Sequence, residues 1–340
     1  MIKKTSYKPP YIITPEIIHL ISEISEILGR FSVINHFEQT PMLRRGNHIR
    51  SIQASLAIEN NTLTLEQVTA IINGKRILGH PREIQEVKNA FSVYETIEKL
   101  NPYSEKDLLK AHALLMSSLV NETGQYRTGG VGIVKGRKVI HIAPPADHVA
   151  ALMNDLLSWL KNTNEHPLIT SSVFHYEFEF IHPFADGNGR MGRLWQTLIL
   201  SQWKPLFSYI PVETVVRNRQ EEYYRVLGKS DHAADSTEFI KFMLKAILEV
   251  LRENVETDQV DDQVTDQVAI LLKLFNGNSL ATSELMQKLD LTHRPTFRNN
   301  YLHPALYNGL IEMTVPDKPN SRLQKYRLTK KGIAFIHKKN

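Results

Sequence analysis

The chain has 340 residues, 42% of them hydrophobic, with 41 Lys+Arg against 36 Asp+Glu and no cysteine. These fractions suit a globular protein of two or three domains and exclude disorder, collagen and coiled coil; the lack of cysteine excludes a disulfide scaffold, a thiolate metal site and a cysteine nucleophile. The net charge of +5 is uneven: 12 Lys+Arg and 5 Asp+Glu lie from Gln263 to the end, so the basic excess belongs to a C-terminal module with its own partner.

The first residues hold no apolar h-region, and the best apolar stretch, Leu194 to Val212, is broken by Gln196, Gln202 and Lys204. Neither a secretory signal nor a membrane span is expected, and a soluble cytoplasmic protein is the default. Thr14-Pro15 starts a helix whose apolar residues recur to Leu28, and His48 to Glu59 reads as a second. Thr64 and Gln67 form a capping box opening a helix to about Asn73. Helical patterns then cover Pro81 to Leu100, Glu105 to Val120, Pro145 to Lys161 and Leu168 to Ile181. Val131 to Val134 and Val139 to Ile142 break this pattern as two short strands about a Gly-containing turn. An isolated hairpin is marginal, so it either covers core or serves a purpose.

Glu253 to Asp266 has six acidic residues and no basic one, and reads as a boundary. Beyond it, helices are expected over Thr265 to Phe275, Thr282 to Leu289, Thr292 to Tyr301 and Pro304 to Tyr307, then strands over Leu310 to Val315 and Leu323 to Leu328. That is the order of a winged helix-turn-helix. His293, Arg294, Arg298 and Asn299 are its base-facing candidates, with Lys318 and Arg322 on phosphates, while Tyr301, Leu302, Leu306 and Tyr307 belong to its core. DNA binding and protein docking are equal alternatives for it.

The chemistry is concentrated in HPFADGNGRMGR, His182 to Arg193. Gly187-Asn188-Gly189 feeds a helical run from Arg190 to Trp203, and a glycine-rich loop entering a helix N-terminus is an anion site. Arg190 and Arg193, at i and i+3, repel each other and the helix dipole unless an anion lies between them. Asp186 can hold Mg²⁺ against phosphate oxygens, and His182 can act as a base near neutral pH. The set suits phosphoryl or nucleotidyl transfer.

This segment resembles the signature of Fic (filamentation induced by cAMP) proteins, His-x-Phe-x-Asp/Glu-Gly-Asn-Gly-Arg-x-x-Arg, at every position. The likeness runs from about Pro102 to Val250 and includes Gly124 to Arg127, GQYR. It implies transfer of AMP from ATP to a Tyr, Thr or Ser hydroxyl of a target protein. His182 would be the catalytic base and Asp186 the ligand of Mg²⁺ or Mn²⁺. Gly187, Asn188, Gly189, Arg190, Met191, Gly192 and Arg193 would form the nucleotide site, with Asn188, Arg190 and Arg193 on the phosphates and Phe184 as a buried anchor. Kinase relatives carry lysine at the second glycine, so Gly189 favours AMP transfer.

Ser55 to Asn60, SLAIEN, resembles the family's inhibitory motif in its N-terminal arrangement. Ser55, Glu59 and Asn60 would be the inhibitory residues, with Glu59 pairing Arg193 and keeping it from the ATP γ-phosphate. The resemblance further implies a flap, Val139, Ile140, His141 and Ile142, that clamps the target by strand addition. It places Tyr223 and Tyr224 near the nucleotide base, although a core stripe explains those tyrosines almost as well. Asp231 stands where some relatives have asparagine, which leaves one nucleotide contact in doubt. A homodimer is consistent with relatives of this arrangement.

The expected architecture is mainly α: a Fic-type helical bundle with a β-hairpin flap and a C-terminal winged helix-turn-helix. Its boundaries are 1–101 for the N-terminal helical region, 102–250 for the catalytic domain, 251–264 for a linker and 265–340 for the last domain. An autoinhibited adenylyltransferase leads. The alternatives are a deAMPylase using the same site, with Glu59 positioning water, and a DNA-binding regulator with a nucleotide-sensing Fic domain.

Overall fold

Prolines and small polar caps start most of the helices. Thr14 accepts from Ile17 N–H at the head of α1 (Pro15–Ile34), and Thr64 and Gln67 close the capping box of α3 (Leu65–Ile72). His80 and His166 do the same work before Pro81 and Pro167, each imidazole Nδ1 accepting from the second helical N–H of α4 (Pro81–Tyr94) and α7 (Pro167–Ile181). The other helices before the acidic segment are α2 (Pro41–Ile58), α5 (Glu105–Leu115), α6 (Ala146–Asn162), α8 (Asn188–Trp203), α9 (Val212–Asn218), α10 (Gln220–Ala233) and α11 (Thr237–Val260). The computed structural model describes residues 7–34, 41–135, 138–260, 266–275, 277–291, 293–316, 321 and 323–338. Side chains are described for all of these except 30–34, 41–44, 132–135, 138–142, 254–260, 266, 299 and 337–338.

The chain divides into two compact units, 1–37 with 44–252, and 38–43 with 253–340. In the first, one apolar core runs from Ile17 to Leu251, so the N-terminal helices and the segment after residue 101 share a single interior. Its centre is the helix pair α7 and α8, joined by the short loop 182–187. From Leu168 to Glu179 every residue of α7 is buried, its polar side chains Ser172, His175 and Glu177 each hydrogen-bonded inside. Trp195 of α8 is fully buried and donates its indole N–H to the Pro102 carbonyl at 3.0 Å. The predicted hairpin is present: β1 (Gly132–Lys135) pairs antiparallel with β2 (Lys138–Ile142), with a register shift between Ile133 and Val134. Residues 251–260, expected as linker, continue α11 to Val260.

The second unit has its own core, built on Leu271, Phe275, Leu285, Phe297, Leu302 and Tyr326. Helices α12 (Asp266–Lys273), α13 (Thr282–Lys288), α14 (Arg294–Phe297) and α15 (His303–Tyr307) fall where expected, the last two joined by a π turn over Arg298–Leu302. The strands β4 (Ile311–Met313) and β5 (Lys325–Leu328) are joined by a third, β3 (Leu280–Ala281), in the order β3-β5-β4. That strand and a final helix α16 (Lys330–Lys338) were not legible, the first because two residues carry no alternation. Among the described residues no helix is long and apolar enough to cross a membrane.

Candidate active site

Helix α7 ends in a left-handed residue, His182 (φ 50°, ψ 61°), whose N–H donates to the Phe178 carbonyl at 2.9 Å. Buried Arg127 fixes this corner. Its Nε donates to the His182 carbonyl at 2.8 Å, Nη2 to those of Ile181 (3.3 Å) and Pro144 (2.6 Å), and Nη1 to that of Gly129 (2.9 Å). A cation there complements the negative end of the helix. Next, Phe184 is fully buried with its ring stacked on His112 at 3.7 Å and 4°. His112 Nδ1 accepts from Gly124 N–H at 2.9 Å, so Nε2 carries the proton and donates to the Asp186 carbonyl at 3.0 Å. Burial lowers the pKa of this imidazole, which keeps that tautomer neutral.

Gly187 then turns the chain into α8 at φ 86°, and a Cβ there would stand 2.6 Å from Met116 Sδ. The Asn188 side chain staples the loop, accepting from Phe184 N–H and donating to the Phe184 carbonyl, both at 2.8 Å. Above the free N–H groups of this helix start stand the two arginines. Arg190 donates from Nη2 to Asp186 Oδ1 at 3.0 Å and from Nη1 to Glu86 Oε1 at 3.4 Å. Asp186 Oδ1 also accepts from Gly187 N–H at 2.6 Å, and Oδ2 from Arg82 Nη2 at 3.1 Å.

Arg193 reaches across to α2. Its Nη2 donates to Glu59 Oε1 at 2.8 Å and the Ser55 carbonyl at 3.0 Å, and Nε to Ser55 Oγ at 3.1 Å. Burial opposes its charge, but Glu59 more than offsets that, so the guanidinium is held protonated above its ordinary range. Arg193 Nη1 and Arg190 Nε are buried donors without a protein partner, and Nη1 lies 3.0 Å from where a Cβ on Gly189 would stand. That same Cβ would collide with the Glu59 carboxylate. Asn60 has φ 68°, which explains why asparagine follows Glu59 just past the helix end.

The structure thus brings His182, Asp186, Gly187, Gly189, Arg190 and Arg193 together with Ser55 and Glu59. Four expectations change. Asn188 spends its amide on Phe184 and is 2% exposed, so its side chain is a loop staple and not a phosphate ligand. Met191 lies fully buried in the core, and Gly192 is glycine because a Cβ would press on Glu179 Oε1 and His175 Cδ2 at 3.0 Å. Tyr223 is 1% exposed and donates to His175 Nε2 at 3.1 Å, so it supports the site from beneath and does not face a base. Tyr224 alone of that pair is half-exposed, with its hydroxyl in the field of Glu59 and Arg193. Asp231 accepts from the Tyr176 hydroxyl at 3.1 Å. Val139, Ile140, His141 and Ile142 supply the backbone of β2, and their side chains lie outside those described.

Several site residues were missed. Arg82 and Glu86 reach it from α4, His112 from α5, and buried Glu213 from α9. Glu213 accepts from Ser51 at 2.9 Å, Tyr94 at 3.2 Å and Thr197 at 3.3 Å, tying α2 to α8. The i, i+4 spacing of Arg82 and Glu86 was the one available signal. In the second unit His293, Arg294 and Arg298 are exposed and Leu302 is core, while Tyr307, expected in the core, is 43% exposed. Thr292, Lys318 and Arg322 lie outside the described residues.

Among the described residues no group of three or more His, Asp or Glu could hold a metal ion by itself. The single half-exposed carboxylate of Asp186 beside an anion cradle fits Mg²⁺ or Mn²⁺ shared with ligand phosphates.

Residues 102–200 match the Fic/DOC family model, and residues 266–329 match that of the filamentation induced by cAMP protein Fic-like C-terminal domain. The chain is 29% identical over 210 residues to the protein adenylyltransferase Fic of Nematostella vectensis, covering 58% of this chain and 46% of that protein. It is 30% identical over 208 residues to that of Aedes aegypti, covering 58% and 39%. It therefore spans less than half the length of these curated relatives. Fic-1 of C. elegans (residues 134–508), at 23% identity, 72% of each chain and TM-score 0.58, shares the fold. A crystal structure of a Fic family protein from Desulfovibrio desulfuricans G20 is 64% identical, covers 95% of this chain and 99% of its own, and superposes with TM-score 0.73. Matched over nearly its whole length, the chain belongs to the Fic family.

Proposed function

We propose that this protein is an adenylyltransferase that moves AMP from ATP to a side-chain hydroxyl of a target protein and is restrained by Glu59. The observation that carries this is the cluster at the head of α8: Arg190 and Arg193, each with a buried unpartnered donor, over the Gly187–Gly189 turn beside His182. The curated names of its relatives support the same activity.

ATP phosphates would lie on the α8 N-terminus, with Arg190 and Arg193 on the outer oxygens. His182 takes the proton from the target hydroxyl. The hydroxyl oxygen bonds to the α-phosphorus as the bond to the β-phosphate bridging oxygen breaks, and pyrophosphate leaves with the electron pair. Asp186 would hold the divalent cation, which neutralises phosphate charge. Strand β2, paired with β1 in a two-stranded sheet, offers its other edge to an extended target segment. Glu59 holds Arg193 away from the γ-phosphate, so ATP binds without reacting.

The test uses α-labelled ATP and Mg²⁺ with wild type, Glu59→Gly and His182→Ala. Label on protein should rise at least tenfold in Glu59→Gly and vanish in His182→Ala. Unchanged or lower labelling by folded Glu59→Gly would remove the restraint from the account. A second reading rests on the 34% exposure of the Glu59 side chain, which could also seat a water for AMP removal. AMP released from pre-modified protein by wild type, and lost in Glu59→Gly, would mark that activity.

A further inference from the structure

We infer that Arg82 is a residue of the metal site: its guanidinium holds Asp186 in the place a divalent cation would take, and its release is linked to that of Glu59. This rests on Asp186 as the metal ligand. Both carboxylate oxygens are engaged by guanidinium groups, Oδ1 by Arg190 at 3.0 Å and Oδ2 by Arg82 at 3.1 Å. The two arginines are not equivalent. The Arg190 side chain is 5% exposed and fixed, whereas that of Arg82 is 49% exposed and can swing into water. Arg82 also stands in the first turn of α4, where a positive charge opposes the helix dipole. Its position is unfavourable for the helix and is compensated by Asp186 across the site.

The local charges balance without a metal: Arg82 and Arg190 face Asp186 and Glu86, with Glu86 Oε1 at 3.6 Å from Arg82 and 3.4 Å from Arg190. A divalent cation on Asp186 repels the guanidinium already held there, and of the two arginines it is exposed Arg82, otherwise on Glu86 and the Leu119 carbonyl, that can leave.

One of these carboxylates, Glu86, together with Glu83 on the same helix, binds the turn that carries the restraint. Asn61, two residues after Glu59, donates from Nδ2 to Glu86 Oε2 at 2.9 Å and to the Glu83 carbonyl at 3.3 Å. Thr62 N–H donates to Glu83 Oε1 at 2.6 Å. A continuous set of polar contacts therefore runs from Arg193 through Glu59 and its turn to Glu86, and from there to Arg82, Arg190 and Asp186. Movement of the Glu59 turn disturbs Glu86, the partner both arginines share. Metal loading and release of Glu59 are two ends of one network.

The experiment measures Mn²⁺ binding by electron paramagnetic resonance in the presence of a non-hydrolysable ATP analogue, so no turnover is needed. Arg82→Gln should bind Mn²⁺ about twofold to fivefold more tightly than wild type at low ionic strength. The gain should shrink in high salt, since the pair is exposed. Asp186→Asn should abolish the site in both backgrounds. Equal or weaker Mn²⁺ binding by folded Arg82→Gln, with Asp186→Asn still abolishing it, overturns the role of Arg82 and leaves Asp186 as the ligand. Undiminished binding by Asp186→Asn overturns both. A double-mutant cycle of Arg82→Gln with Glu59→Gly tests the link: gains that fall short of additive support it, and strict additivity overturns it.

Discussion

Gly187 and Gly189 stand two residues apart and are glycine for different reasons. At Gly187 the need is conformational, φ 86° with Met116 Sδ packed beneath. At Gly189 it is spatial, because the Glu59 carboxylate and Arg193 Nη1 occupy the space a Cβ would fill. Gly187→Ala is therefore expected to destabilise the fold by roughly 1–3 kcal/mol, read as a lower midpoint in urea with an unchanged slope. An unchanged midpoint would mean that the turn relaxes freely. Glu177 gives a second prediction at this scale. It lies buried on α7 and accepts from the Tyr7 hydroxyl at 2.7 Å. Burial raises its pKa to about 7, the Tyr7 hydrogen bond opposing and the Asp231 charge adding. The folded value is above the unfolded one, so the stability it confers is complete below about pH 4.5 and is lost as pH rises through about 7. Glu177→Gln removes that loss. Relative to wild type it should gain up to roughly 3 kcal/mol between pH 4.5 and pH 8, measured as diverging melting temperatures. Parallel pH profiles for the two proteins would contradict the raised pKa.

The helix–turn–helix formed by α7, the 182–187 corner and α8 is the element that makes the site, and Arg127 is its main external support. It donates to four carbonyls, two from the end of α7 and one from each side of the hairpin. Arg127→Ala leaves buried carbonyls unpaired and should cost about 2–4 kcal/mol. Arg127→Lys should recover little of that, because an ammonium cannot fork to carbonyls on two sides. Urea unfolding of the pair checks this, and full rescue by lysine would show that charge alone matters. Local chemistry was the legible part of this element. His182 to Arg193 is one continuous segment, and its glycines, arginines and carboxylate announce an anion site without any fold. The partners of that segment were legible only in part. Glu59 meets Arg193 across 134 residues, and only the family likeness paired them. Arg82, Glu86, His112 and Glu213 sit on helices whose side-chain types look like ordinary surface or core, so their convergence waited on the packing. Asn188 turns inward to backbone and Tyr223 follows the core-stripe alternative for the same reason: polarity in the sequence does not reveal whether a group turns toward ligand or into the interior.

At the scale of the molecule, the two cores share no residue. One spans Ile17 to Leu251 and the other Val268 to Tyr326. Every residue assigned here to base, cradle, metal and restraint lies between Ser55 and Tyr224, inside the first unit. That unit also pins α2 and the residue that follows it, through Ser51 on Glu213 and through the Glu59–Arg193 pair. Hydrophobic stability follows from area buried within each core, and among the described residues the buried side chains of the first core end at Leu251. A chain ending at Val260, where α11 stops, should therefore melt as one cooperative unit and, in the Glu59→Gly background, label protein with AMP at a rate within about threefold of the full chain, since catalytic groups held by their own core keep their geometry. The basic tail would then act in choosing or placing a target and not in the chemistry. Loss of labelling by a folded truncated chain would instead make the C-terminal unit part of the catalytic apparatus. Retained labelling weighs against the chain being mainly a DNA-binding regulator that senses nucleotide, because such a protein would have no need of a transferase that runs without its DNA-reading part.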